Sequence, residues 1–179
     1  MKIIFPLLLA CGLSLSTFAQ ETKTNAAPEP AAANTNQPPP IATLPASAAT
    51  VTAPLALTNG VLSQPEMTAI EDGGNAVFTF TVTNEGDYVI TAQVNAPDDS
   101  SNSFFMNMDA QPEDPTMIWD IDVTTGFEAR TVSWRGSGDA DSDEFLPKTF
   151  HLTVGDHKLI LVGREPAELK SLAIHPAAK

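Results

Sequence analysis

Cysteine is nearly absent: Cys11 is the one thiol among 179 residues. It lies in the apolar opening of the chain, so a disulfide framework is excluded and a folded domain must be stable through its core. Basic residues are scarce too. Nine Lys plus Arg face 22 Asp plus Glu, giving a formal net charge of −13, and no Lys or Arg occurs between Thr24 and Ala129. Such a surface repels a polyanion, which excludes nucleic acid, and it disfavours anionic lipid headgroups. Signatures of common chemistry are also missing: there is no Gly-rich phosphate loop, HExxH, CxxC or Gly-x-Ser-x-Gly elbow. His151, His157 and His175 are scattered; His151 falls at an outward strand position and His157 in a turn, and both read as solvated. Carboxylates are numerous enough for a glycosidase pair, but so small a domain has little room for a deep cleft, and no enzyme is expected.

What is present begins with Met1-Lys2, an apolar run from Ile3 to Leu15 broken by Pro6, and small residues at Thr17 and Ala19. These predict a secretory signal peptide over residues 1–19, too short for a permanent bilayer anchor. "LLAC" around Cys11 is a loose lipobox, but cleavage there would leave "GLSLSTFA" on the mature chain. Residues 20–57 then change character to Ala, Pro, Thr and Asn without aromatics, with prolines at 28, 30, 38, 39, 40, 45 and 54. Proline removes backbone donors and little apolar surface is available for burial, so this segment reads as a disordered, partly polyproline-like spacer. The expected location is secreted, periplasmic or at the bacterial cell envelope.

From Thr58 onward the pattern has period two. "AVFTFTV" puts Ala76, Phe78, Phe80 and Val82 on one face; "NEGD" follows as a hairpin turn; "YVITAQVNA" puts Tyr88, Ile90, Ala92 and Val94 inward. "SFFMNMD" puts Phe104, Met106 and Met108 inward and leaves Phe105, Asn107 and Asp109 on the other face. "KTFHLTV", a "GDH" turn, "KLILVGR" and "LKSLAIH" continue the series, and no segment has a helical period. The fold class expected over residues 58–179 is all-β, an antiparallel β-sandwich.

One acidic run invites a metal. Asp139, Asp141 and Asp143 alternate in "GDADSDEF", a spacing that can turn oxygens toward Ca2+. An EF-hand is excluded because Glu144 stands where the turn glycine belongs and Phe150 where the bidentate glutamate belongs. A calcium loop of another kind and an exposed acidic loop both remain.

The ordered set Tyr88, Asn95-Ala96-Pro97, Ser103-Phe104-Phe105, Asp109, Trp119-Asp120, Leu152, Gly155, His157 and Gly163-Arg164-Glu165 resembles the galactose-binding-like, jelly-roll carbohydrate-binding modules of the family 6 and family 35 kind. The resemblance covers roughly residues 75–175 and implies non-catalytic binding of a poly- or oligosaccharide. It departs at the closing Leu-Asp, here Leu169-Lys170, which puts the family's structural calcium in doubt although Glu66 and Glu71 could supply ligands. Pro166-Ala167 replace the usual Asp-Gly.

Sugar recognition needs a flat apolar platform and polar groups for hydroxyls. Trp119 and Trp134 are the only tryptophans, and Asn95, Asn107, Asp109, Asp120, Arg164 and Glu165 are candidates for the polar set. Alternation puts Trp119 with Met117 and Ile121, and Trp134 with Val132, so each reads either as core or as platform. Phe105, Asn107 and Asp109 form a second candidate patch, while Arg164-Glu165 also reads as an ion pair holding the last hairpin. The alternative function is an envelope adhesion or assembly module with a protein partner.

Overall fold

The computed structural model describes residues 37–135 and 145–178. Two antiparallel sheets face each other. The first contains β1 (Ala42–Pro45), β3 (Ala56–Thr58), β4 (Val61–Ser63), β6 (Gly86–Asn95), β9 (Glu128–Thr131), β10 (Phe150–Leu152) and β12 (Glu168–Pro176). The second runs β2 (Thr50–Val51), β5 (Asn75–Val82), β11 (Gly155–Gly163), β7 (Ser103–Met108) and β8 (Ile118–Asp120). The all-β sandwich expected from period-two patterning is what forms, and no helix among the described residues is long and apolar enough to cross a membrane.

Alternation builds the core. Phe78, Phe104, Met106, Trp119, Leu159 and Leu161 from the second sheet pack against Ile90, Val94, Leu169, Leu172 and Ile174 of the first. Each is fully or almost fully withdrawn from water. A single-residue slip of any of these strands would turn its apolar set outward, so burial on one face fixes the register.

The connections differ from the expected hairpins. The turn after β5 leads to β6, yet β5 pairs with β2 and β11 while β6 pairs with β9, β10 and β12. "NEGD" is therefore a crossing between layers, and so is the short link from β10 to β11. Polar turn residues mark a reversal of direction in either case, and local composition does not say whether the returning strand pairs with its predecessor or faces it across the core.

The linker boundary also moves. Residues 42–57, expected as spacer, belong to the sandwich. Ala42–Pro45 pairs with Ser171–Ile174, and Leu44, Ala46 and Leu55 are buried. Here Pro45 ends an edge strand and Pro54 lies between strands, so neither costs a ladder hydrogen bond. Residues 1–36, with the expected signal peptide and residues 20–36 of the expected spacer, lie outside the described residues.

A second, smaller apolar cluster covers the outer face of the second sheet. Phe105, Ile118, Ile160 and Val162 pack there with Ile70 and Val77. The segment between β4 and β5 is drawn across it by Thr68 N–H on the Arg164 carbonyl (2.8 Å), the Thr68 hydroxyl on the Gly163 carbonyl (3.2 Å) and Gly163 N–H on the Gly74 carbonyl (2.8 Å). Gly73 is required at this crossing: a Cβ there would stand 2.3 Å from the Gly163 carbonyl oxygen.

Candidate ligand-binding site

The two sheets expose their edges β8 and β9 on the same flank. A cavity of about 560 Å³ lies along this flank, reaching from Trp119 and Asp120 of β8 past Arg130 of β9 to Thr91 and His175 on the outer face of the first sheet. Ser133, Asp122 and the Pro38–Pro40 run complete much of its wall, and Phe145, 55% exposed, stands among its lining residues.

Register explains how the wall arises. In an antiparallel ladder, opposed residues share a face. Arg130 stands opposite inward-facing Ala92, and Thr131 opposite outward-facing Thr91. The short strand β9 thus turns its guanidinium toward the flank opening and its threonine toward the outer face. Glu128 holds Arg130 at 2.9 Å and the Ala129 carbonyl accepts from its Nη1 at 3.1 Å. The N–H of Thr125 holds the Glu128 carboxyl below its ordinary range; burial opposes it, and the Arg130 guanidinium adds to the lowering. Asp120 is buried and accepts two hydrogen bonds from Arg135, on Nε at 2.6 Å and on Nη2.

The wall carries unmatched polarity. Among the described residues, five buried side-chain N or O atoms lack a hydrogen-bond partner, and three of them, Trp119 Nε1, Arg130 Nε and Ser133 Oγ, belong to residues lining this cavity. A buried donor without a partner costs roughly 1–3 kcal/mol. Each such group calls for a physical explanation, of which an ordered water is one.

The sequence-derived site residues separate on this structure. Trp119 and Asp120 line the cavity. Trp119 is nonetheless 0% exposed and packs beside Phe104, its ring centroid 6.2 Å away, so it is a core plug beneath the cavity and not an open stacking platform. Phe105 is likewise corrected: it points outward from its sheet as alternation requires, but the segment carrying Ile70 covers it. Trp134 donates from Nε1 to the Met106 carbonyl at 2.8 Å, meets Phe150 edge-on, and carries the Lys148 ammonium 3.9 Å above its ring. Its accessible face is occupied by a cation.

The remaining polar candidates hold the fold. Asn95 donates to Glu168 at 2.9 Å, and Asn107 receives the Met108 N–H at 2.8 Å. Asp109 receives the Lys158 N–H at 2.8 Å and faces His157, which is buried and not solvated as its turn position suggested. Arg164 contacts Glu165 and donates to the Ser103 hydroxyl, while Glu165 accepts the Asn102 N–H at 3.1 Å. This pair ties the β11–β12 link, which crosses between the sheets and is not a hairpin, to the start of β7 beside β11.

Asp139, Asp141 and Asp143 lie outside the described residues. The calcium implied by the resemblance does not fit the residues present: Lys170 reaches over the Phe127 ring at 5.6 Å, Glu66 and Glu71 are exposed, and no group of three His, Cys, Asp or Glu among the described residues is placed to hold a metal.

Arg130, Ser133, Thr91 and His175 escaped sequence reasoning because they come from four separate strands or loops and form no motif. One signal was available: Arg130 is the first basic residue after a stretch without any.

No family model matches this chain, and no curated protein matches it significantly. Solved structures do. The Podospora anserina GH26-CBM35 β-(1,4)-mannanase aligns with 77% of this chain at 11% identity and a TM-score of 0.53. This chain spans 28% of that enzyme's length. A family 35 carbohydrate binding module from Clostridium thermocellum aligns over 76% of this chain and 98% of its own, at 9% identity and a TM-score of 0.54. The mannan binding module from Man5C aligns over 76% of this chain and 99% of its own, at 18% identity and a TM-score of 0.50. The fold of this chain is the β-sandwich shared by these carbohydrate-binding modules.

Proposed function

We propose that the protein is an exported, non-catalytic module that binds a poly- or oligosaccharide in the flank cavity. The observation that carries this reading is the flank cavity itself, whose lining brings together Arg130, Asp120, Asp122, Thr91 and His175. A sugar hydroxyl both accepts and donates, so a saccharide can accept from a guanidinium N–H and give its own proton to a carboxylate. Phe145 supplies an exposed aromatic face for the C–H side of a pyranose. A net charge of −13 disfavours a polyanionic ligand and is compatible with a neutral glycan. The shared fold of a mannan binding module adds support for the ligand class.

A cavity open along one flank predicts weak, rapidly exchanging binding, on the order of micromolar to millimolar. Affinity electrophoresis of the full chain in gels containing β-mannan and other neutral polysaccharides tests the reading. Retardation by at least one polysaccharide, reduced in Arg130→Gln, is expected. No retardation on any of them, with stable association with a protein instead, would replace the saccharide by an envelope partner.

A further inference from the structure

One wall of the cavity belongs to neither sheet. Gln37 to Pro40 pass along it, immediately before β1. Three consecutive prolines have no N–H, so this strap offers only carbonyl oxygens and pyrrolidine C–H surface. Its fixed φ angles leave little freedom to lose on ordering.

Two hydrogen bonds tie it to the end of β12. His175 Nδ1 lies 2.8 Å from the Pro38 carbonyl oxygen, which can only accept, so Nδ1 carries the proton. Nε2 lies 3.0 Å from the Thr91 hydroxyl. Three residues later the Ile41 N–H donates to the Ile174 carbonyl at 2.8 Å, and the ladder of β1 on β12 begins. Pro39 and Pro40, between the two ties, are exposed. His175 and Thr91 thus form a clamp whose one backbone target is the strap, and both also line the cavity.

We propose that this proline strap is a specificity-determining wall of the cavity, with His175 as its positioning residue. The residues that composition marks as inert spacer would then contact the saccharide through their ring C–H groups and restrict which chains enter beside Trp119. This inference rests on the cavity being the saccharide site.

The test replaces Pro38, Pro39 and Pro40 by Gly, Ser and Gly in the full chain and compares it with wild type in two measurements, retention on a polysaccharide that wild type binds and acrylamide quenching of tryptophan emission. The expected result is binding weakened about tenfold with a melting temperature within about 2 °C of wild type, and greater quenching as the cavity bordered by Trp119 opens. Equal binding overturns the strap and leaves the saccharide reading standing. Should no polysaccharide bind wild type, the saccharide reading fails, and quenching decides the strap separately: a rise supports it as a wall and no rise overturns it. If the triple variant does not fold, His175→Ala, which releases the Pro38 tie together with the Thr91 contact, is put through the same two measurements with the same outcomes, Thr91→Val serving as the control that removes the Thr91 contact alone.

Discussion

Asp109 adopts a left-handed backbone conformation, φ 59°, and from there sets its carboxylate 2.7 Å from Nδ1 of buried His157. The opposite ring nitrogen lies 2.9 Å from the Thr153 carbonyl oxygen. Both neighbours are acceptors, so the doubly protonated ring satisfies both and either neutral tautomer leaves one lone pair facing another. Burial works against the charge at His157, but the Asp109 and Thr153 hydrogen bonds and the carboxylates of Asp109 and Asp156 together outweigh it, and the pKa lies above its ordinary value. Lys158 flanks the ring on the same strand, and Phe80 lies 6.0 Å away between centroids.

A raised pKa fixes the sign of the pH dependence. The stabilisation by His157 is complete below about pH 6.5, the ordinary histidine value, and disappears as the pH rises through the higher folded-state value. The melting temperature of wild type should therefore fall between about pH 6 and pH 9 by more than that of Asp109→Asn or His157→Gln. Equal slopes in all three would show that the imidazolium contributes nothing.

Trp119 should behave as a core residue. Truncation to Ala removes the largest fully buried side chain and is expected to cost about 3–5 kcal/mol of unfolding free energy by denaturant titration. A loss below about 1 kcal/mol would contradict its burial against Phe104.

Asp120 and Arg135 make a sharper case. Removing the guanidinium leaves a buried carboxylate without its cation, and Arg135→Ala should cost about 3 kcal/mol. The double variant Asp120→Asn, Arg135→Ala should recover part of that loss, because the uncompensated charge is then gone. No recovery would mean that the pair acts through packing alone.

Much of this architecture was legible before any coordinates. β5 alternates cleanly because it buries one face, and the inward sets of β5, β6 and β7 are all where period two puts them. What alternation cannot carry is the other side of the same strand. Phe105 is outward by pattern and still buried, because a loop distant in sequence lies over it. Residues 42–57 were misread for a related reason: Leu44 and Leu55 are buried by contacts with strands more than a hundred residues later or across the sandwich, and proline-rich composition hides that. β9, "EART", has no apolar alternation, since its inward positions are filled by Glu128 and Arg130 paired to each other. The cavity wall depends on that strand, so the site was the least readable part.

The indole proton resonances of the two tryptophans provide the most direct check on where a ligand sits. Full chain labelled with 15N, titrated with a saccharide that it retains, should show the Trp119 Nε1–H resonance and the Arg130 Nε–H resonance shifting together, while the Trp134 indole, already bonded to Met106, stays in place. Movement of Trp134 with a silent Trp119 and Arg130 would contradict the account and put the ligand elsewhere on the sandwich.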